Sequence, residues 1–335
     1  PVRTGGSITV SGAAVAGSDI RMAAGTGINL TGASAGDIVS LTTGGNLVST
    51  ALVSAGDSFT GLADGNIQLA NVRAGTVSPS SAAGALYRLI LVAGGSVTTG
   101  TTDALASATI AAGTGITIGA ITTTRGPLLL LANGNVQTGA ITTPTTADVL
   151  IGGRSMLALG GPIGASFNPM AILQANLVRT GGSITLGGPV TTRNFDAGAG
   201  TSFTAGPITA KSVEVDAGGL ATVNGAINAG FTGLRSSDID ITSTGSIVGE
   251  HARLTSLNST ATLVGDGLTG SGYALSDAEL DRVRTAEAGH LAVAGLHRGG
   301  ATERLQQRDP VALDEHHAVA CGNNGDLGVT RERKT

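Results

Sequence analysis

Asp238-Ile-Asp240 sets two carboxylates two residues apart, and on an extended strand alternate side chains share one face. A pair of carboxylates is the minimum that acid–base cleavage of a sugar linkage requires, one to move the proton and one to activate water or hold charge. Such a site also draws Arg, Lys or a metal onto the same face from neighbouring strands. Residues 1–295 hold only 17 acidic and 13 basic side chains, among them a single lysine, Lys211. Glu214 and Asp216 repeat the arrangement around Val215. In both places the acids alternate with aliphatic residues (Ile239 and Ile241, Val213 and Val215), so both read as the solvated side of half-buried strands.

The remaining reactive residues are more isolated. Asp266 stands alone in Gly-Asp-Gly, and the calcium-binding Gly-Gly-x-Gly-x-Asp-x nonapeptide is not reproduced. His316-His317 lacks the spaced partners of a zinc site. Cys321 is the single cysteine, without a base in register, and it excludes an internal disulfide framework. Paired Cys-x-x-Cys is missing, and the abundant glycine reads as corners rather than as phosphate cradles. The sequence therefore assigns no catalytic residue, metal ligand or cofactor site, and the expectation is that the protein is not an enzyme. Threonines cluster at Thr98-Thr99, Thr122-Thr123-Thr124, Thr142-Thr143 and Thr191-Thr192. A regular threonine face orders water in ice-binding solenoids, whereas β-branched residues also suit any exposed strand. The irregular spacing favours the second reading.

Composition removes further classes. The net charge is −4 and aromatic residues make up 2% of the chain, leaving neither a basic footprint nor stacking platforms for nucleic acid. The apolar runs Leu89–Ala93 and Pro127–Ala132 are far too short to span a bilayer as a helix. Hydrophobic content of 41% argues against disorder, and 54 glycines with no three-residue period argue against collagen. No charged-then-apolar leader follows Pro1, so the chain reads either as cytosolic or as lacking its native N-terminus.

The elements that must position these residues emerge from a repeat. Val-Arg-Thr-Gly-Gly-Ser-Ile-Thr occurs at Val2–Thr9 and again at Val178–Thr185. Its isoleucine begins a ladder of apolar residues: Ile8, Ile28, Leu47, Ile67, Val97, Ile116, Val136, Leu157, Ile184, Phe203, Val223, Ile247 and Leu263. Most steps are near 20 residues, with long steps of 30 and 27. The residues six and eight places earlier are also almost all apolar, as in Ile20 and Met22 or Leu128 and Leu130; Gly61, Asn176 and Thr255 are the exceptions. Each unit thus alternates as a strand does, turns at glycine or asparagine, and resumes in a second strand. A further short strand often follows, as at Gly119-Ala-Ile121 and Gly139-Ala-Ile141.

Strands this short are stable only when stacked coil upon coil, so the fold class expected is all-β, a right-handed parallel β-helix of about 20 residues per coil. About 13 coils at roughly 4.8 Å would give a rod on the order of 60 Å. A sandwich or barrel would have irregular turn spacing instead. Glycine is expected at tight corners for its left-handed conformations. Repeats are assigned to 1–275. Residues 276–295 read as a short helix, opened by the capping box Ser276-Asp-Ala-Glu279 and running to about Glu287, then a last strand at His290–Gly295. Residues 296–335 carry 12 charged side chains and no rung, and read as a charged tail, either disordered or translated out of frame. The long steps hold Ser78–Gly84 and Gly164–Met170, which would project as loops.

Units such as GGSITVSG, AAGTGINLTG and NGNVQTGAI resemble the repeats of filamentous-haemagglutinin-like exoproteins of Gram-negative bacteria, with autotransporter passengers nearly as similar. ALSDAELDRVRT resembles an inter-coil segment of the same group, and the resemblance covers roughly Val2 to Gly295. It implies a β-helix exported through an outer-membrane transporter barrel to the cell surface or medium, acting as an adhesin on a host or neighbouring cell. No Asn-Pro-Asn-Gly-type secretion motif is present; Phe167–Ile172 does not supply one. The chain therefore reads as an internal or truncated segment of a larger exoprotein. A polysaccharide-active β-helix enzyme and a threonine-faced ice binder are the alternatives.

Overall fold

The computed structural model describes residues 1–75, 88–152, 179–257, 263–264, 273–294, 317–321 and 327–331. It is a β-solenoid of parallel coils of about 20 residues, with about 11 turns. The chain divides into two units, Pro1–Ala199 and Gly200–Thr335.

In the first unit each coil alternates a short and a long strand. β1 (Val2–Thr4) and β2 (Ser7–Ala16) form the first coil, β3 (Ile20–Ala24) and β4 (Gly27–Ala35) the second. Strand stacks on strand in parallel register: Val2 on Met22, then Leu41, Gly61, Leu91, Ile110, Leu130, Ile151 and Ala197. The long strands align Ile8 with Ile28, Leu47, Ile67, Val97, Ile116, Val136 and Ile184. These ladders are the ones read from the periodicity, with one correction. Val136 pairs directly with Ile184, and Val149 with Phe195, so no coil carrying Leu157, Asn176 or Val178 intervenes. Those three residues lie outside the described residues, as do Ser78–Gly84 and Gly164–Met170.

The long strands also bend. Register shifts between Leu30 and Ala33, and between Ser49 and Leu52, turn the chain and restore inward alternation beyond the bend. A coil therefore presents three inward pairs: in the coil of β3 and β4 these are Ile20 with Ala24, Ile28 with Leu30, and Ala33 with Ala35, all buried. The aliphatic rows Leu47, Ile67 and Val97, or Leu41 and Leu91, have no exposed surface at all. Burying each such side chain stabilises by about 1.5–3 kcal/mol, and no coil could do so without its neighbours.

The glycines have a different cause from the one expected. Among the described residues only Gly75 has a positive φ, 81°. A Cβ at Gly25 would instead overlap the carbonyl oxygen of Gly5, one at Gly44 that of Gly25, and one at Gly113 that of Gly94. Corner glycines are there because the backbone beneath is too close for a side chain. Asparagines fill the adjoining corner position in another way. Asn46 Oδ1 accepts the Asn66 N–H at 2.8 Å, and Asn66 Oδ1 accepts the Ser96 N–H at 2.8 Å. One coil's carboxamide thus caps the next coil's backbone.

The second unit has its own ladders. Ile208 stacks on Ile227, Ile247 and Val283, while Phe203 stacks on Ala221 and Ile239. Here the expected ladder fails. Val223 pairs with Ile241, so Val223 and Ile247 belong to different strands of the coil, and Leu263 pairs only with Ala274 in a separate two-stranded ladder. The cause is register. Ala221 and Val223 are both inward, and a slip of two residues leaves the apolar alternation unchanged. The rungs lost here and at Leu157 account for about 11 turns rather than 13.

The capping box at Ser276 and Glu279 is formed, but the helix it opens, α1 (Asp277–Leu280), is a single turn. The expected extension to Glu287 is replaced by a strand, Val283–Ala294, which runs parallel to Ser246–Ser256. Pairing to that edge outweighs the local helix signal. Strands His317–Cys321 and Leu327–Arg331 pair antiparallel, the latter also with Leu291–Val293.

If inter-coil contact is the reason for the corner glycines, Gly113→Ala lowers stability by about 1–3 kcal/mol through overpacking. Gly12→Ala, where nothing lies within 4 Å, leaves it unchanged. Urea unfolding of the two variants checks the contrast.

Candidate functional site

Lateral charges meet across the stack. Asp216 aligns with Arg235 in the adjacent coil, and the guanidinium grips the carboxylate with Nε at 3.0 Å and Nη2 at 2.5 Å. Asp148 is held in the same two-point fashion by Arg193, at 2.8 and 2.6 Å, with Asn194 donating at 3.0 Å. Arg73 and Asp103, in register, approach to 3.6 Å. The Arg193 hydrogen bonds hold the Asp148 carboxyl below the usual carboxylate range, against a smaller opposing effect of burial. These are the paired side chains of stacked strands, the sheet counterpart of helix i,i+4 pairs.

The acids flagged as possible catalysts are placed as follows. Ile239 and Ile241 point inward and are buried, so Asp238 and Asp240 do share the outer side. Asp238 is committed to backbone: its Oδ1 accepts the N–H groups of Ile239 at 2.9 Å and Ala274 at 3.2 Å. Asp240 is exposed and aligns with Thr222. Glu214 is exposed beside Gly233. Asp266 and His316 lie outside the described residues, while His317 and Cys321 fall on the strand His317–Cys321.

Around Asp238 the structure builds a cap. Glu279 Oε1 accepts the Ile241 N–H at 3.1 Å, while its Oε2 accepts the Ser276 N–H and hydroxyl at 2.9 and 2.7 Å. Arg282 donates to the Ile241 carbonyl at 2.6 Å. Side chains from around α1 therefore satisfy backbone groups that a further strand would otherwise take. Tyr273 is fully buried, and its hydroxyl faces that of Ser236 without a well-formed hydrogen bond. Burial pushes the Tyr273 phenol well above its ordinary pKa, and the carboxylate of Asp238 adds to that.

The threonine clusters split between two faces. Thr99, Thr123, Thr143 and Thr192 are buried, their hydroxyls bonded to Thr102, the Gly126 carbonyl, Thr192 and the Ala147 carbonyl. Thr98, Thr142 and Thr191 face out. Along the outer row, Thr98 and Thr117 are followed by Gln137, and preceded by Gln68 and Val48. The reading of these threonines as simple exposed strand residues is thus corrected for the inner member of each pair; the row through Thr98 is not a threonine ladder, whereas Thr122, Thr142 and Thr191 stack as a row of three that Asp103 precedes.

One feature escaped the periodicity. Val92, Ala111, Leu129 and Leu131 occupy outward positions, alternating with inward Leu91, Ile110 and Leu130, yet are buried in an apolar cluster with Leu62, Ile90 and Leu150 against it. The signal was the unbroken Leu128–Leu131, where alternation disappears because both sides are apolar.

A shallow depression of about 520 Å³ lies by Arg3, Gly5, Ala24 and Gly25, with no carboxylate in its lining. Among the described residues no group of three or more His, Cys, Asp or Glu side chains is placed to hold a metal. No protein-family model, curated protein or solved structure matches the chain.

Asp148 contributes stability above the unfolded-state carboxylate pKa of about 3.9, and that contribution is lost as pH falls through its lower native value. Asp148→Asn therefore flattens the acid limb of the stability curve below about pH 4, measured by denaturant unfolding at stepped pH. Tyr273→Phe removes a buried hydroxyl that makes no well-formed hydrogen bond, so unfolding free energy is unchanged or rises by up to about 1 kcal/mol.

Proposed function

We propose that this chain is a structural rod of adhesin type, exposed on a bacterial surface or secreted, and a segment of a larger exoprotein rather than an enzyme. The observation that carries this reading is the use made of the ionisable side chains. Asp148 and Asp216 are held by arginines of adjacent coils, and Asp238 and Glu279 are bonded to backbone N–H groups. Side chains engaged in holding coils together leave little for acid–base chemistry, whereas a laterally paired stack suits a load-bearing or displayed element. A transporter barrel in the outer membrane would be the export partner, and the ligand a component of a host or neighbouring cell. No helix among the described residues is long and apolar enough to cross a membrane, which fits a passenger rather than an anchor.

The test is attachment. Beads coated with the protein should adhere saturably to epithelial or bacterial cells and be displaced by soluble protein, while albumin-coated beads do not. In parallel, a panel of polyuronates and neutral glycans is incubated with the protein and with Asp238→Ala and Asp240→Ala. Cleavage that either substitution abolishes would replace this reading with the polysaccharide-active enzyme.

A further inference from the structure

Gly233 departs from the rule that the corner glycines follow. The atoms nearest to a Cβ built there belong to side chains: Cε1 and Cζ of Phe231 at 3.1 and 3.3 Å, and Cγ of Glu214 at 3.9 Å. No carbonyl crowds this position as one crowds Gly25 or Gly113. The glycine instead lets the Phe231 ring lie back over the strand Ala226–Ser236.

That ring is on the outer side. Thr232 and Leu234, which alternate with Phe231 and Gly233, are the buried residues. Among the described residues Phe59, Phe195, Phe203 and Tyr273 are buried as well, which leaves Phe231 as the aromatic ring that meets solvent. What flanks it is polar and comes from both adjacent coils. Ser212 and His251 hold the register positions on either side of Phe231, and Glu214 and Arg253 those on either side of Gly233. Glu214, His251 and Arg253 are exposed, while Arg235, next along the strand, already grips Asp216. A protein partner would need a broader apolar core than one ring provides. Apolar carbon rimmed by hydroxyl, carboxylate and guanidinium groups is instead the complement of a sugar, which carries C–H groups on one face and hydroxyls around its edge. With strands about 4.8 Å apart, Glu214 and Arg253 straddle the ring at roughly 10 Å, room for one pyranose.

We propose that Phe231 is the floor of a binding subsite for one neutral hexopyranose of galactose type. In such a sugar the axial 4-hydroxyl leaves the C3, C4 and C5 hydrogens on one continuous face, which a single ring can cover; in glucose the C4 hydrogen lies on the other side. The C–H face stacks on Phe231, the Glu214 carboxylate accepts from two vicinal hydroxyls, and the Arg253 guanidinium donates to a third sugar oxygen. The inference rests on the adhesive reading and gives its ligand a chemistry.

Saturation-transfer NMR of methyl β-galactopyranoside with the intact protein tests it. Saturable transfer is expected, strongest at H3, H4 and H5, with a Kd on the order of 1 mM. Glu214→Gln weakens binding about tenfold, the loss of a charged hydrogen bond. Phe231→Ala abolishes it and Phe231→Tyr retains it. Gly233→Val, which displaces the ring without removing it, also abolishes binding while the thermal unfolding midpoint is not lowered, since a β-branched residue suits a strand. Three results would overturn the proposal: no saturable transfer to the galactoside, equal transfer to methyl β-glucopyranoside, or transfer that survives Phe231→Ala. No cell enters this measurement, so sugar binding retained without bead attachment would overturn the adhesive reading alone.

Discussion

Parallel backbone pairing at roughly 4.8 Å is the constraint on which the rest of this structure depends. Once one coil must lie that close to the next along its entire length, each position is judged by what sits above and below it. Inward positions accept aliphatics that continue a row, as Ile28, Leu47 and Ile67 do. Corners accept glycine where a Cβ would strike the carbonyl beneath, or asparagine where its carboxamide reaches the next N–H. The low aromatic content follows too: Phe59 stacks between Val39 and Leu89, but a continuous row of rings would exceed the width of the coil.

The same constraint absorbs the ionisable residues. A carboxylate on one coil finds an arginine at the register position of its neighbour, as Asp216 finds Arg235. Such half-exposed pairs are each worth little, typically below about 1 kcal/mol, but they oppose slippage along the stack. Where pairing ends, at Asp238–Ile241, side chains replace the missing strand, and Glu279 divides its oxygens between Ile241 and Ser276. That arrangement closes an edge which would otherwise recruit another chain.

How much of this was legible follows from period and parity. A repeat near 20 residues identifies the solenoid and, in the first unit, names the residues that stack. It could not detect the two-residue slip at Ala221, because parity is unaffected. Nor could it show that Val136 stacks directly on Ile184, since apolar residues recur between them. Asp238 and Asp240 were rightly read as outward, but that Asp238 serves backbone groups depended on Ala274, which sequence distance hides. The clustered threonines misled because alternation sends neighbours to opposite faces.

By itself the sequence determined that the chain is a stack of short parallel strands, since no other arrangement buries apolar residues at that spacing among so many glycines. It also determined which residues are apolar rungs and which corners are small. Only the tertiary structure decided which rung meets which, what the glycines are for, and where side chains close an edge. The physical reason is that each of these is a property of two coils rather than one. Ala221 and Val223 have the same parity, and only the neighbouring coil decides which of them meets Phe203.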